Sequence, residues 1–332
     1  MNINVIIVNY NGAMWLPRCI ASVLDNARHS HHTIDVTVVD NASSDDSVKV
    51  IQSFGGDVRS VTLSTNVGFG QAVWRGVREH SSEYIVVLNN DTWLELGTFD
   101  KLLNELMSRN LDVIAANEQP YDGESTQRHR TTIDYLGFPI HIPTPTPGPT
   151  RSFYLSAVCL LVSRELFESS GGFVPSFFMY FEDIDWFWRL HLAGHAFDYS
   201  ETVFVHHAGH GSSGGASLSV NRFLWRNENL PRMLYRNYST ASLILLTPLF
   251  IAVSLVEIFS FAILGKKDVA LSYPRGLRAF LRTLPHERES RRAIQSARVT
   301  SEKEIRARMY PGSAKLASLF TKALERVRPN HG

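Results

Sequence analysis

Apolar residues at the start of the chain come in short unbroken runs separated by polar, helix-like stretches. Residues 3–8 carry Val5-Ile6-Ile7-Val8 with no alternation, the pattern of a strand covered on both faces. A helical stretch over 15–24 follows, then a strand over 35–39 and a helix over 43–51 whose first turn is rich in Ser and Asp, residues that cap helix starts. A third strand over 58–63, a helix over 71–78 and a fourth strand over 84–88 complete the series. Strands alternating with helices predict a parallel sheet with right-handed crossovers. From 118 to 151 the periodicity fades and prolines gather, ending in Pro143-Thr144-Pro145-Thr146-Pro147-Gly148-Pro149; a loop this long in a compact domain is functional or mobile. Apolar character resumes over 153–162. Residues 241–264 are almost wholly apolar, with Glu257 their only charge, and Arg275, Arg278, Arg282, Arg288, Arg291, Arg292 and Arg298 follow.

Charge sharpens this division. Residues 1–200 hold 13 Lys/Arg against 23 Asp/Glu, and residues 201–332 hold 20 against 9, within a chain of 332 residues whose formal net charge is only +1. An acidic front and a basic back suit different partners, the back an anionic surface. The basic stretch lacks interleaved aromatics of the stacking kind, so nucleic acid is not the expected partner. Hydrophobic residues make up 44% of the chain, enough to exclude a disordered protein. Two cysteines exclude a disulfide scaffold and fit a reducing compartment. Met1-Asn2-Ile3-Asn4 has no basic segment and the run behind it is short, so no export signal is expected and the chain is placed in the cytoplasm.

Ligands of open parallel sheets bind beyond the carboxyl ends of the strands. That rule selects Asn9-Tyr10-Asn11-Gly12, Asp40-Asn41-Ala42-Ser43 and Asn89-Asn90-Asp91-Thr92. Asp91, at a strand end, offers hard oxygen to Mg2+ or Mn2+ on a diphosphate; a simple Asn/Asp turn is the plainer alternative. Phe177-Phe178-Met179-Tyr180-Phe181-Glu182-Asp183-Ile184-Asp185-Trp186 sets three carboxylates among five aromatics. Apolar surroundings raise a carboxylate's pKa and make it a better base, whereas acids on a helix N-terminus would be the plainer alternative. Such a wall could stack on a sugar, which makes Tyr180, Asp185 and Trp186 candidate acceptor contacts. His206-His207 follows a strand-like stretch and could complete a metal shell. No HExxH occurs, which argues against a zinc protease, and Val67-Gly68-Phe69-Gly70-Gln71-Ala72-Val73 lacks the third glycine of a dinucleotide fingerprint.

In order, these segments resemble the family 2 glycosyltransferases of GT-A fold, particularly the bacterial rhamnosyltransferase-like branch. The resemblance rests on Val8-Asn9-Tyr10-Asn11-Gly12, Val39-Asp40-Asn41-Ala42-Ser43-Ser44-Asp45, Asn66-Val67-Gly68-Phe69-Gly70 and Leu88-Asn89-Asn90-Asp91-Thr92. It continues through Ser156–Val162, Gly171-Gly172-Phe173, Met179–Trp186 with Arg189, and Val205-His206-His207. It implies an α/β GT-A (nucleotide-diphospho-sugar transferase) fold with a mostly parallel central sheet over residues 1–235. A helical, membrane-associating region over 236–332 would follow. It also implies an inverting transfer from a nucleotide-sugar, thymidine-diphosphate rhamnose (dTDP-rhamnose) first, to a lipid-linked saccharide in cell-surface polysaccharide synthesis. The expected donor-binding residues are Asn9, Tyr10, Asp40, Asn66, Gly68, Asn89, Asn90 and Asp91, with Asp40 resembling the carboxylate that reads the nucleobase. Asp183 of the Glu182-Asp183 pair resembles the catalytic base. Asp91 resembles the last acid of the DXD metal motif, where Asn89 replaces the first acid. His206 stands where a late histidine joins the metal, with His207 the alternative register. The expected location is the cytoplasmic side of a bacterial inner membrane, peripheral or re-entrant, against anionic lipid. A non-catalytic nucleotide-sugar-binding or assembly subunit on the same fold is the alternative.

Overall fold

A computed structural model describes residues 1–123, 128–144, 151–209 and 220–314. Along the chain run β1 (Asn2–Asn9), α1 (Leu16–His29), β2 (Thr33–Asp40), α2 (Ser47–Ser53), β3 (Arg59–Thr62), α3 (Phe69–Glu79), β4 (Tyr84–Asn89), β5 (Thr92–Leu94) and α4 (Thr98–Ser108). Then come β6 (Val113–Pro120), β7 (His129–Ile133), β8 (Pro139–Pro143), β9 (Cys159–Ser163), α5 (Arg164–Ser169), α6 (Glu182–Leu192) and β10 (Phe197–His207). Four helices close the described chain: α7 (Val220–Asn237), α8 (Thr240–Ile263), α9 (Lys267–Ser296) and α10 (Glu302–Ala307).

The chain forms two compact units, Met1–His129 with Tyr154–Leu218, and Arg130–Phe153 with Ser219–Gly332. The expected boundary at 235 differs from this division. α7 begins fifteen residues earlier and packs along α9, and the proline-containing segment 130–153 joins the helices rather than the sheet.

In the first unit eight strands form one sheet in the order β3-β2-β1-β4-β9-β6-β10-β5. β3, β2, β1 and β4 are mutually parallel, as are β6 and β10. β9 runs antiparallel between β4 and β6, and β5 is antiparallel to β10. The sheet is therefore mixed, with its parallel half supplied by the alternating strands and helices read from the sequence. β1 is an interior strand, flanked by β2 and β4, with Ile3 and Val5 to Val8 buried, which is why its sequence does not alternate. α1 covers one face through Leu16, Cys19, Ile20, Val23 and Leu24, the three-and-four spacing of a single helical stripe. Truncating one of these to Ala costs about 2–5 kcal/mol for a fully buried leucine or isoleucine.

In the second unit β7 and β8 pair into a small sheet. Arg291 of α9 donates to the Tyr235 and Tyr238 carbonyls, and Gln295 donates to those of Arg236 and Asn237 at 3.0 Å. These contacts satisfy carbonyls that the end of α7 leaves unpaired. Arg298 pairs with Glu302 at 2.6 Å. Arg291 and Arg298 are thus committed to protein partners, which corrects the expectation that the whole arginine run faces a surface. Arg275, Arg278, Arg282, Arg288 and Arg292 are exposed. α8 has a mean hydropathy of 2.3 in its most apolar window, and only 11% of that window is buried. By length and composition it could cross a membrane. Ile244, Phe259 and Ile263 are each at least 70% exposed.

Candidate functional site

Because β1, β2 and β4 are parallel, their carboxyl ends lie together, and the three polar segments that follow them meet there. Asn9 Nδ2 donates to Asp40 Oδ1 at 2.8 Å and to Ser43 Oγ at 3.1 Å. Asn90 Nδ2 donates to Asn9 Oδ1 at 2.6 Å. Asp40 also accepts from the Ser43 hydroxyl at 2.6 Å and the Ser43 amide at 3.1 Å. Asn9, Asp40 and Asn90 are all buried, so they form a hydrogen-bonded floor beneath the loops. Asp40, the residue expected to meet a nucleobase, is thus buried with its carboxylate accepting from Ser43 and Asn9. A Cβ on Gly12 would lie 2.0 Å from Asn90 Nδ2 and 2.4 Å from Asn9 Oδ1, so the floor requires glycine there. Tyr10 is half-buried and Asn11 exposed above it.

One side of the cleft is the loop into α3. Asn41 Nδ2 donates to Asn66 Oδ1 at 3.0 Å, and the Val67 amide donates to Asn41 Oδ1 at 2.9 Å. Gly68 has φ +86° and a Cβ there would meet the Phe178 carbonyl at 2.3 Å, while the Phe69 amide donates to that carbonyl at 2.9 Å. Gly68 therefore lets the loop dock on the backbone of the aromatic wall.

That wall turns sharply before α6. Tyr180 and Phe181 both have φ near +70°, a left-handed conformation that bulky residues rarely take and that costs about 1–3 kcal/mol each. The turn delivers Glu182 and Asp183 to the first turn of α6. Glu182 is buried, with Oε2 lacking a hydrogen-bond partner, and Asp183 is half-buried. Burial pushes both carboxyls above the ordinary range, and the Asp183 charge raises Glu182 further. The other members of the wall are structural. Asp185 is fully buried and paired with Arg189 at 2.9 Å. Trp186 is also fully buried, edge-on to Phe167 and Phe173, with Nε1 donating to Ser170 Oγ at 2.8 Å. Neither side chain is placed to touch an acceptor, contrary to expectation. Tyr180 remains half-exposed.

Of the two histidines, His207 is the one that faces Asp91. β10 pairs antiparallel with β5, opposing His207 to Thr92 and His206 to Trp93, and neighbouring side chains on a strand point to opposite faces. His207 Nε2 lies 3.3 Å from Asp91 Oδ1, and its Nδ1 lies 2.7 Å from Glu118 Oε2. Burial alone would lower the pKa of His207, but hydrogen bonds and charge from Asp91 and Glu118 push it up to about 10. His206 is stacked on Trp93 at 3.5 Å; its Nδ1 donates to the Pro120 carbonyl at 3.1 Å and its Nε2 faces Gln119 Nε2 at 2.8 Å. His206 is thus turned to Trp93, Pro120 and Gln119, while His207 is the histidine set against Asp91. Asp91 is buried, and its carbonyl accepts from the Ala208 amide at 3.0 Å. Asn89 is half-buried; its carbonyl accepts from the Thr92 hydroxyl at 2.7 Å.

Two residues absent from the sequence reading belong here. Glu118 holds the far side of His207. Tyr154 is buried, and its phenol is raised well above the usual value by that burial and then by the charges of Asp183, Tyr199 and Glu118. It lies within electrostatic reach of Asp183 and of Glu118. Glu118 becomes visible only through the parallel pairing of β6 with β10, which opposes it to Val205; nothing in the local sequence marks it.

Among the described residues no three His, Cys, Asp or Glu side chains converge on a single metal position. The cluster nonetheless sets the Asp91 carboxylate beside the His207 ring, which would have to give up its proton to join a cation. That donor set suits Mg2+ or Mn2+ when a diphosphate supplies the remaining oxygens.

Residues 4–187 match the family model described as glycosyl transferase family 2. The chain is 24% identical over 123 residues to the glycosyltransferase GlyG of Streptococcus pneumoniae, covering 36% of this chain and 40% of that one. It is 26% identical over 237 residues to an N-acetylglucosaminyl-diphospho-decaprenol L-rhamnosyltransferase of Mycobacterium tuberculosis, covering 62% and 76%. The chain thus spans well under half the length of the first relative and about three quarters of the second. Among solved structures, the mannosyltransferase PcManGT of Pyrobaculum calidifontis, in complex with GDP-Man and Mn2+, superposes with a TM-score of 0.54 at 14% identity, covering 98% of this chain and 81% of that one.

Proposed function

Since the chain belongs to glycosyl transferase family 2, we propose that it is an inverting, metal-dependent glycosyltransferase. It moves a sugar from a nucleoside-diphosphate donor to a hydroxyl of a lipid-linked saccharide. The observation that carries this reading is the Asp183 carboxyl, half-buried at the head of α6 with its pKa raised. A carboxylate so placed is ionised at neutral pH yet basic enough to take a hydroxyl proton as the oxygen attacks the anomeric carbon. The loop through Asn66 and Gly68 docks on the backbone of the wall that leads to Asp183, and Asp91 and His207 would hold a divalent cation with the donor diphosphate. Such a cation neutralises charge on the departing diphosphate. Glu182, kept neutral by burial, limits the negative charge beside the leaving group.

The matched rhamnosyltransferase supports a nucleotide-sugar transferase acting on a glycan acceptor; rhamnose and a lipid diphosphate are this reading's own choice of sugar and acceptor. PcManGT, solved with GDP-Man and Mn2+, supports the cation. Exposed apolar α8 supports association with a membrane; this reading seats it, peripheral or re-entrant, on the cytoplasmic side of an inner membrane. The test is calorimetry of the full chain with dTDP-rhamnose, uridine-diphosphate hexoses and uridine-diphosphate galactofuranose, with and without Mn2+. One donor binding at least tenfold more tightly with Mn2+ is expected. Equal affinity with and without the metal for every donor contradicts the metal site.

A further inference from the structure

The second unit contains a groove of about 760 Å3 walled by α7, α8, α9 and the Tyr135–Leu136 segment. Its lining is almost entirely apolar, and Ile244, Ile251, Leu255 and Leu277 within it are exposed. The polar side chains along it are turned onto protein. Ser254 Oγ donates to the Phe250 carbonyl at 2.8 Å, the Tyr238 hydroxyl to the Tyr135 carbonyl at 2.8 Å, and Asn227 Nδ2 to Ser272 Oγ at 2.9 Å. An extended segment laid here would bury backbone groups without partners. An α-helix satisfies its own backbone, so the shape and chemistry of the groove suit an amphipathic helix with one apolar stripe.

The chain carries such a stripe at the edge of the groove. After α10 the backbone returns to the Tyr135 segment. The Tyr310 amide donates to the Ile133 carbonyl at 2.9 Å, the Tyr135 amide to the Gly312 carbonyl at 3.4 Å, and the Ala314 amide to Asp134 Oδ2 at 2.8 Å. The last described residues therefore lie beside Asp134, next in sequence to Tyr135 and Leu136 of the groove wall. Residues 315–332 lie outside the described residues. Their sequence places Leu316, Leu319, Phe320, Ala323, Leu324 and Val327 at the three-and-four spacing of a single helical stripe. Lys315, Lys322, Glu325 and Arg326 fall between them, Ser313 stands where a helix is capped, and Pro329 where it must end. The lengths agree. At roughly 1.5 Å per residue, the stripe from Leu316 to Val327 is about 17 Å long, and the α8 wall from Leu243 to Ile258 about 22 Å.

We propose that segment 316–327 docks in this groove as an amphipathic helix, entering at the Tyr135–Tyr238 end and running along α8 towards Ile258. The segment is tethered at the groove's edge, so docking is intramolecular and outcompetes free ligands through a high effective concentration. It covers Ile244, Ile251 and Leu255. Leu245, Leu249, Val256, Phe259 and Ile263 are exposed and do not line the groove, so they remain on the free face of α8. One apolar face of that helix then belongs to the chain itself, and only the other is left for a membrane.

The test uses the full chain in detergent with paired cysteines, the native Cys19 and Cys159 being buried. With Thr247→Cys as the fixed partner, Phe320→Cys should form an intrachain disulfide at least tenfold faster than Val327→Cys. With Ser254→Cys as the fixed partner the order should reverse. Hydrogen exchange of the wild type should find 316–327 protected in detergent and no further protected when anionic vesicles are added. Should one α8 variant melt early, the other decides; should both, a benzophenone at residue 320 replaces them and should label α7, α8 or α9 of the same chain. Equal rates for the two tail positions, the opposite order, or the absence of any intrachain disulfide or label overturns the assignment. So do disulfides formed only between chains, which would make the occupant a second copy, and protection that appears only with vesicles, which would give the segment to the membrane.

Discussion

Asp183 and Glu182 are neighbours in sequence, and burial raises both, yet their surroundings divide them. Glu182 is buried with an unpartnered oxygen, whereas Asp183 is half-exposed and accepts from the Ile184 amide at 2.7 Å. A base must be ionised to act, so activity should fall as pH drops through the raised pKa of Asp183. A pH–rate profile of the wild type should therefore show its acid limb above the ordinary carboxylate range; a limb at or below it contradicts the assignment. Glu182 answers to stability. Its folded-state pKa lies above the unfolded value, so its contribution is full below the unfolded value and is lost as pH rises through the folded one. Glu182→Gln should thus gain melting temperature over wild type as pH is raised from 5 to 9, by a few degrees for each ~1 kcal/mol. Gly12→Ala places a carbon against Asn90 and Asn9. Overpacking of this kind costs about 1–3 kcal/mol, and calorimetry should show weakened donor binding as the floor shifts. The placement of Asp91 just past β4 and of Asp183 beside an aromatic wall was legible, because strand-end acids and acids set among aromatics have a local signature. The floor role of Asp40 was not, because burial depends on what packs above it.

At the scale of elements, the alternation of strands and helices to residue 89 was legible from apolar runs, with ends within a few residues. The antiparallel β9 inserted between β4 and β6 was not, since a buried run carries no mark of its direction. The same holds for β10, where a shift of one residue exchanges His206 for His207. His207→Ala should lower donor affinity in Mn2+ by at least tenfold and leave affinity in chelator unchanged. His206→Ala should leave the metal response intact and lower stability by about 1–3 kcal/mol, through lost stacking on Trp93 and the lost hydrogen bond to Gln119. Donor calorimetry and denaturant unfolding of both variants check this; the opposite pattern would return the ligand to His206. Asp185 and Trp186 looked like acceptor contacts because an aromatic-acidic cluster reads alike whether it lines a cleft or a core. The i,i+4 spacing of Asp185 and Arg189 was the one sequence signal for an internal ion pair.

For the whole molecule, the change from acidic to basic near residue 200 was legible, but the boundary was not. Segment 130–153 joins the helical unit through tertiary packing that no linear pattern announces. Exposed α8 and the arginines of α9 lead to the expectation that the full chain floats with anionic vesicles. High salt should weaken this without abolishing it, and a double change of Ile244 and Phe259 to Asp should release the protein; flotation unchanged by that substitution contradicts the role of α8. The central claim, that Asp183 removes the acceptor proton in a metal-assisted transfer, is tested most directly by nucleoside-diphosphate release with donor, lipid-linked acceptor and Mn2+. The account predicts that Asp183→Asn binds donor normally but turns over at least about a hundredfold more slowly than wild type. Near wild-type release by the folded variant would contradict it.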